Sequence, residues 1–128
     1  MFFFKSKKKA VKDSEDTSVT VNKNQLNNEI DVLVLQLPKA EGSERIDLLN
    51  RIGSLYFELD NFDQSIMHYE MSISENQTLG KAYTDLIKLY NLKRKEASSK
   101  KDHDSVQFYL NKSDELMKLT KNSIRERM

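Results

Sequence analysis

Residues 49–56 read Leu-Asn-Arg-Ile-Gly-Ser-Leu-Tyr, and residues 83–90 read Tyr-Thr-Asp-Leu-Ile-Lys-Leu-Tyr. In both stretches, apolar or aromatic side chains stand at the first, fourth and eighth positions, which is the spacing of one face of an α-helix. The second stretch begins 34 residues after the first. An interval of this length is a known period of helical repeat proteins. The two stretches therefore predict an array of helices with an internal repeat.

The composition of the chain favours the same fold class. The 128 residues include only three Gly and one Pro, too few turn-forming residues for a β-sandwich or a β-barrel. The length suits one domain and is too short for two independent cores. We therefore predict an all-α fold, a short array of antiparallel helical hairpins with about five helices.

Helical periodicity and capping residues place these five helices along the chain. We expect the first at residues 23–37, begun by a capping box of Asn22 and Gln25 and ended by Pro38. The second is expected to open at Gly42 and close near Asp60. The expected caps of the third, fourth and fifth helices are Asn61, Thr78 and Asp104.

The N-terminal part of the chain has a different composition. Residues 1–12 carry five Lys and no acidic residue, and residues 10–21 are polar with few apolar side chains. Such a composition is typical of a disordered segment. We therefore divide the chain into a flexible, basic and polar tail at residues 1–21 and a helical domain at residues 22–128.

The repeated stretch resembles the tetratricopeptide repeat (TPR) family, whose pattern is W-x2-L-G-x2-Y followed by A-x3-F. Residues 49–56 match it as Leu-x2-Ile-Gly-x2-Tyr, and Ser65 with Tyr69 matches the second part. The first repeat then covers residues 46–79. A degenerate second repeat covers residues 80–120, with Ile87 at the position of Gly53 and a turn lengthened over residues 93–102.

In the second repeat, Val106, Leu110 and Ser113 are expected at the positions that the family gives to Ala, an aromatic residue and Ala. The helix at residues 23–37 lies outside the resemblance and is expected to cap the first repeat. Because two repeats are fewer than the usual minimum of three, a remaining apolar edge favours self-association as a dimer.

The resemblance implies a groove, lined by the first helix of each repeat, that binds a segment of another protein. The expected partner-binding residues are Asp47, Asn50, Ser54, Phe57, Lys81, Thr84, Lys88 and Asn91. Their spacing of three and four residues forms one stripe on each helix. Such side chains are also ordinary on the surface of a helix, and that alternative stays open.

The chain lacks the residues that most enzyme and metal sites require. It has no Cys and two His, which excludes thiol chemistry and leaves too few ligands for a zinc site. It also lacks a glycine-rich phosphate loop and a nucleophile elbow. We therefore expect no enzyme activity, no cofactor and no metal, and we expect both His68 and His103 at the surface.

The basic residues provide an alternative function. Residues 13–80 carry 4 basic and 13 acidic side chains, whereas residues 81–128 carry 12 basic and 7 acidic ones. Phe2, Phe3 and Phe4 with the neighbouring lysines can touch an anionic membrane surface. The expected anionic-surface contacts are Lys5, Lys7, Lys8, Lys9, Lys93, Arg94, Lys95, Lys100 and Lys101. Nucleic acid is not expected as a partner because no motif that reads it is present.

The sequence as a whole predicts a non-enzymatic interaction module or adaptor in the cytoplasm. Its longest apolar run outside the N-terminus is Val32 to Leu35, far short of the roughly 20 residues that span a bilayer. A basic-tailed accessory protein, peripheral at an anionic membrane through residues 2–9 or bound to nucleic acid, is the alternative from another class.

Overall fold

The computed structural model describes residues 8–76 and 80–127, with side chains described for residues 22–76, 80–119 and 121. Its helices are α1 (Lys8–Gln36), α2 (Gly42–Glu58), α3 (Phe62–Glu75), α4 (Lys81–Ser99) and α5 (His103–Arg127), with a 3-10 turn at Leu37–Lys39. These ranges contain no β-strand. The predicted all-α fold with five helices is confirmed.

Consecutive helices form antiparallel hairpins joined by short connections. Helix α2 packs mainly against α3, and α4 packs mainly against α5. The two hairpins join where α3 packs against α4, and α2 also touches α4. Helix α1 packs against α2 alone among the helices in the described ranges. The chain therefore forms an ordered array in which α1 and α5 are the outer helices.

The structure differs from the expected N-terminal boundary. Helix α1 begins at Lys8, about fifteen residues before the predicted start, so Asn22 lies inside the helix and does not cap it. The chain has no Gly or Pro before Pro38, and its polar residues include several good helix formers. Of the predicted tail, residues 1–7 lie outside the described residues.

The end of α1 is as predicted. Pro38 follows the last α-helical residue, Gln36, by two positions, and the chain continues as a 3-10 turn. Proline has no N–H to donate and disfavours the helical conformation of the residue before it. Ala40 then adopts an extended backbone and the chain reverses into α2.

The hairpin of α2 and α3 follows the sequence closely. Asn61 caps α3, and its Oδ1 atom accepts a hydrogen bond of 3.4 Å from the Gln64 N–H. Gly53 lies where the two helices approach most closely, since an added Cβ there would stand 3.0 Å from the Tyr69 ring. The Ser65 hydroxyl donates to the Gly53 carbonyl at 2.7 Å. Ser65 therefore fits at this buried position because its hydroxyl is satisfied.

The hairpin of α4 and α5 differs from the sequence prediction. The expected long turn at residues 93–102 is wrong, because α4 continues to Ser99. Residues 93–99 contain Lys, Arg, Glu and Ala, which are strong helix formers. The cap of α5 is Asp102 in place of Asp104, and its Oδ1 accepts from the Ser105 N–H at 3.2 Å. The expected cap of α4, Thr78, lies outside the described residues.

One core joins the two hairpins. Its largest fully buried side chains include Tyr69, Leu49, Ile52, Leu55, Leu86 and Leu89. Ile52 and Leu86, which occupy matching positions of the 34-residue repeat, are both buried. In α5, Tyr109 packs against this core, whereas Leu110 is exposed. The expected inward position of Leu110 is therefore wrong by one residue, which is about 100° around a helix.

Candidate functional site

The eight predicted partner-binding residues lie on α2 and α4, which are neighbours in the array. We call this surface the α2–α4 face; it consists of Asp47, Asn50, Ser54, Phe57, Lys81, Thr84, Lys88 and Asn91. Asp47 and the four members on α4 are exposed, while the other three on α2 are half-buried. The tertiary structure therefore brings both predicted stripes to adjacent helices.

Phe57 occupies a different environment from the one expected of an apolar anchor. Its side chain packs against the core cluster, and its ring lies edge-on to Phe62 with centroids 5.8 Å apart. Part of its apolar surface is thus already covered by the protein itself. Phe57 contributes to the core beneath the α2–α4 face more than to the face.

A polar network lies beneath the α2–α4 face. The Tyr69 hydroxyl of α3 donates to Oδ2 of Asp85 at 2.6 Å, and Lys81 Nζ lies 3.2 Å from the same oxygen. Asp85 is only 6% exposed. The network therefore connects one predicted site residue, Lys81, to α3 through a buried carboxylate.

The environment of Tyr69 keeps its phenol protonated. Burial raises the pKa of Tyr69 well above its ordinary value, and the hydrogen bond to Asp85 raises it further. Both effects disfavour the charged form, because a phenolate here would lose its hydration and would also stand against a carboxylate. At neutral pH, Tyr69 is therefore a hydrogen-bond donor.

A second tyrosine–carboxylate–lysine set lies on the other side of the contact between α3 and α4. The Tyr90 hydroxyl of α4 donates to Oε2 of Glu70 at 2.5 Å, and Lys112 Nζ of α5 lies 3.4 Å from that oxygen. Burial, followed by the bond to Glu70, raises the pKa of Tyr90. Each helix of the α3–α4 contact thus supplies one tyrosine and one carboxylate.

Sequence reasoning missed both carboxylates. The signal for Asp85 was present, since it lies on the helical face that also carries Ala82 and Leu89. A charged residue at an apolar position indicates a buried pair. No such signal marked Glu70, because it follows Tyr69 directly and sits at the edge of the buried face.

Several polar side chains of the α2–α4 face have no hydrogen-bond partner among the described residues. Asp47, Lys88, Thr84 and Asn91 make no side-chain hydrogen bond or ion pair with any residue that the structure describes. The Oδ1 atom of Asn50 is buried and likewise has no partner there. The four exposed side chains remain available for hydrogen bonds with water or with a bound chain.

The predicted anionic-surface contacts fall into three groups. Lys5 and Lys7 lie outside the described residues, and Lys8 and Lys9 belong to α1 in a part where side chains are not described. Lys93 is bound by Asp63 and Glu96, each at 3.1 Å, so its charge is already neutralised. Arg94 is half-buried, and the exposed members are Lys95, Lys100 and Lys101.

The two histidines have different surroundings. The expectation that His68 is a surface residue is wrong, because it is buried with Nδ1 at 2.8 Å from the Gln64 carbonyl and its ring beside Tyr56. His103 is exposed at the start of α5, as expected. In residues 8–76 and 80–127, no group of three His, Asp or Glu residues stands close enough to hold a metal ion. None of the helices in these ranges is long and apolar enough to cross a membrane.

Comparison with family models, curated proteins and solved structures finds no match to this chain. The TPR resemblance therefore rests on the residues quoted above.

Proposed function

We propose that this chain is a non-enzymatic adaptor that binds a segment of another protein on the α2–α4 face. The proposal follows the TPR-like reading of the sequence. It takes the cytoplasm as the setting, since a chain without cysteine needs no oxidising compartment to fold.

The observation that carries this proposal is the network of Tyr69, Asp85 and Lys81. A binding surface built from two helices keeps its shape only if the helices keep their relative position. The hydrogen bond from Tyr69 to Asp85 connects α3 to α4 below the surface, and the Tyr69 ring packs against Gly53 of α2. The α2–α4 face is therefore preorganised, which lowers the cost of ordering it when a partner binds.

The chemistry of the free side chains indicates the kind of partner. Thr84 and Asn91 offer both donors and acceptors, which suit the backbone of a peptide. Asp47 on α2 and Lys88 on α4 carry opposite charges. A segment with a basic residue toward α2 and an acidic residue toward α4 complements this pair.

Site-specific photo-crosslinking tests the proposal. A photoreactive amino acid is placed at Lys88 or at Asn91, and the products from the native lysate are identified by mass spectrometry. Gln107, on the exposed surface of α5, is the matched control position. We expect one protein to crosslink from Lys88 and Asn91 and to be absent from the Gln107 product.

A charge-reversal variant then tests whether the captured protein uses these residues. The purified partner should bind the double variant Asp47→Lys/Lys88→Glu at least about tenfold more weakly, which corresponds to about 1.4 kcal/mol. Lys118→Glu, on the exposed surface of α5, should leave the affinity unchanged. Equal crosslinking from all three positions, or equal affinity for the double variant, would contradict the proposal.

A further inference from the structure

The two ends of the helical array each expose apolar side chains that no described residue covers. We propose that copies of this chain stack head to tail, with the α4–α5 end of one copy against the α1–α2 end of the next. This interaction is separate from the α2–α4 face and from any partner bound there.

At the α1–α2 end, the exposed side chains form a recess. Val32 is 54% exposed and Leu35 is 75% exposed, on the side of α1 away from the buried Ile30. Together with Ala40 and Leu48 they line an open recess of about 440 Å³, which we call the α1 recess. Such an exposed apolar concavity at the end of an array is typical of an interaction surface.

At the α4–α5 end, apolar side chains form a stripe. Half-buried Val106 and the exposed Leu110 and Met117 follow one another at intervals of four and seven residues, and we call them the α5 stripe. Leu110 and Met117 are 42% and 41% exposed.

The orientation of the α5 stripe follows from the ion pair between Lys112 and Glu70 of α3. Lys112 lies about 160° around the helix from Leu110, so Leu110 points away from α3 on an outer helix of the array.

The net charges of the two ends indicate that the α1–α2 end of one copy meets the α4–α5 end of another. Residues 22–58, which form the α1–α2 end, carry six acidic and four basic side chains, whereas residues 80–121 carry ten basic and six acidic ones. Glu44 and Lys39 both line the α1 recess, and Lys121 continues the α5 stripe by one more turn. Two copies that met through the same end would bring like charges together. A head-to-tail contact places the acidic end against the basic end.

This geometry predicts an assembly that does not close at a dimer. A contact between two different surfaces leaves one free α1 recess and one free α5 stripe on every assembly. Further copies can therefore add at either end. Their addition depends on protein concentration and, because the ends carry opposite charges, on ionic strength.

Two variants block one end each. Leu35→Lys places a positive charge in the α1 recess, opposite the basic end of the next copy. Met117→Glu places a negative charge on the α5 stripe, opposite the acidic end. Both residues are exposed, so circular dichroism is expected to show unchanged helix content. Phe108→Glu is the matched control, since Phe108 is an exposed apolar residue of α5 outside the stripe.

Sedimentation velocity at low salt, over rising protein concentration, measures the outcome on the full chain. We expect the unmodified chain and Phe108→Glu to form species larger than a dimer, and each end variant alone to stay monomeric. An equimolar mixture of the two end variants is expected to form a dimer and nothing larger, through the one intact recess and the one intact stripe.

Several results would overturn the proposal. A monomer at every concentration would exclude self-association, and assembly of the unmodified chain that stops at a dimer would indicate a two-fold contact. Assembly of either end variant alone would show that its surface is not needed. Failure of the mixed variants to form a dimer would show that the recess and the stripe do not bind each other.

Discussion

Tyr69 lies where α2, α3 and α4 meet. One side of its ring contacts Gly53 of α2, and its hydroxyl donates to Asp85 of α4. The ring can approach α2 so closely because Gly53 has no Cβ. At the matching position of the second hairpin stands Ile87, which is half-buried and packs against the core.

The hydroxyl of Tyr69 can be removed without changing the ring. We expect Tyr69→Phe to lower the free energy of unfolding by about 1–3 kcal/mol, because Asp85 stays buried and loses one of its two donors. Tyr90→Phe is the control and should cost less, since the carboxylate of Glu70 is more exposed and water can replace the lost bond. Urea unfolding followed by circular dichroism measures both.

A double-mutant cycle separates the hydrogen bond from general packing. If Asp85 is costly in Tyr69→Phe only because it is unpaired, the double variant Tyr69→Phe/Asp85→Leu should be more stable than the sum of the two single effects. Strict additivity would show that the bond contributes nothing.

Helices α2 and α4 have the same backbone conformation at their C-terminal ends. In both, the residue after the C-cap has a positive φ, 59° at Asp60 and 60° at Lys101. In both, the N–H of the following residue donates to the carbonyl five positions earlier. These bonds run from Asn61 to Tyr56 and from Asp102 to Ala97, each at 2.9 Å. This is the Schellman motif, in which glycine is the usual residue. The chain uses aspartate and lysine instead.

The left-handed backbone at Lys101 is a place where stability can be gained. A non-glycine residue in this conformation destabilises the folded state by about 1–2 kcal/mol. Glycine removes that strain, but it also increases the entropy of the unfolded chain, which cancels part of the gain in stability. We therefore expect Lys101→Gly to raise the free energy of unfolding by about 0.5–1 kcal/mol. Thermal unfolding by calorimetry measures the change.

Lys100 provides the control for this prediction. Its φ is −91°, a conformation that any residue adopts, so Lys100→Gly gains nothing and should lower the melting temperature. If both substitutions lowered it equally, Lys101 would not have the left-handed conformation in solution. Asp60→Gly should gain less than Lys101→Gly, because aspartate tolerates that conformation better than lysine.

The stability of the whole molecule depends on the protonation of two buried tyrosines, Tyr69 and Tyr90. The pKa values of Tyr69 and Tyr90 are raised in the folded state above their ordinary value of about 10, by burial and by the carboxylates that they bind. Above that pH, the unfolded chain releases these protons while the folded chain retains them. Unfolding is therefore favoured as the pH rises, and the stability present at neutral pH is lost on the alkaline side.

We therefore expect the free energy of unfolding to fall steeply above about pH 10. Urea midpoints measured from neutral pH to about pH 11 test this. The double variant Tyr69→Phe/Tyr90→Phe should be less stable at neutral pH but lose less on the way to alkaline pH. Because lysines titrate in the same range in both proteins, the difference between the two slopes is the informative quantity. Equal slopes would show that these phenols do not control alkaline unfolding.

Much of this architecture follows from local sequence. The bounds of α2 and the start of α3 were predictable because Gly42, Asp60 and Asn61 act on their immediate neighbours. The close approach at Gly53 was also predictable from the stripe of Leu49, Ile52 and Tyr56 around it. The end of α4 and the start of α1 were not, because charged helix formers resemble a solvated loop in composition and differ from it only in propensity.

The sequence by itself determined an all-α array with an internal repeat, since helical periodicity and capping are properties of residues close together in the chain. Only the tertiary structure decided that Tyr69 binds Asp85, that Lys93 is neutralised by Asp63, and that Tyr109 faces the core in place of Leu110. These contacts join residues on different helices. They depend on how far each helix is rotated about its axis, and one residue changes that rotation by about 100°.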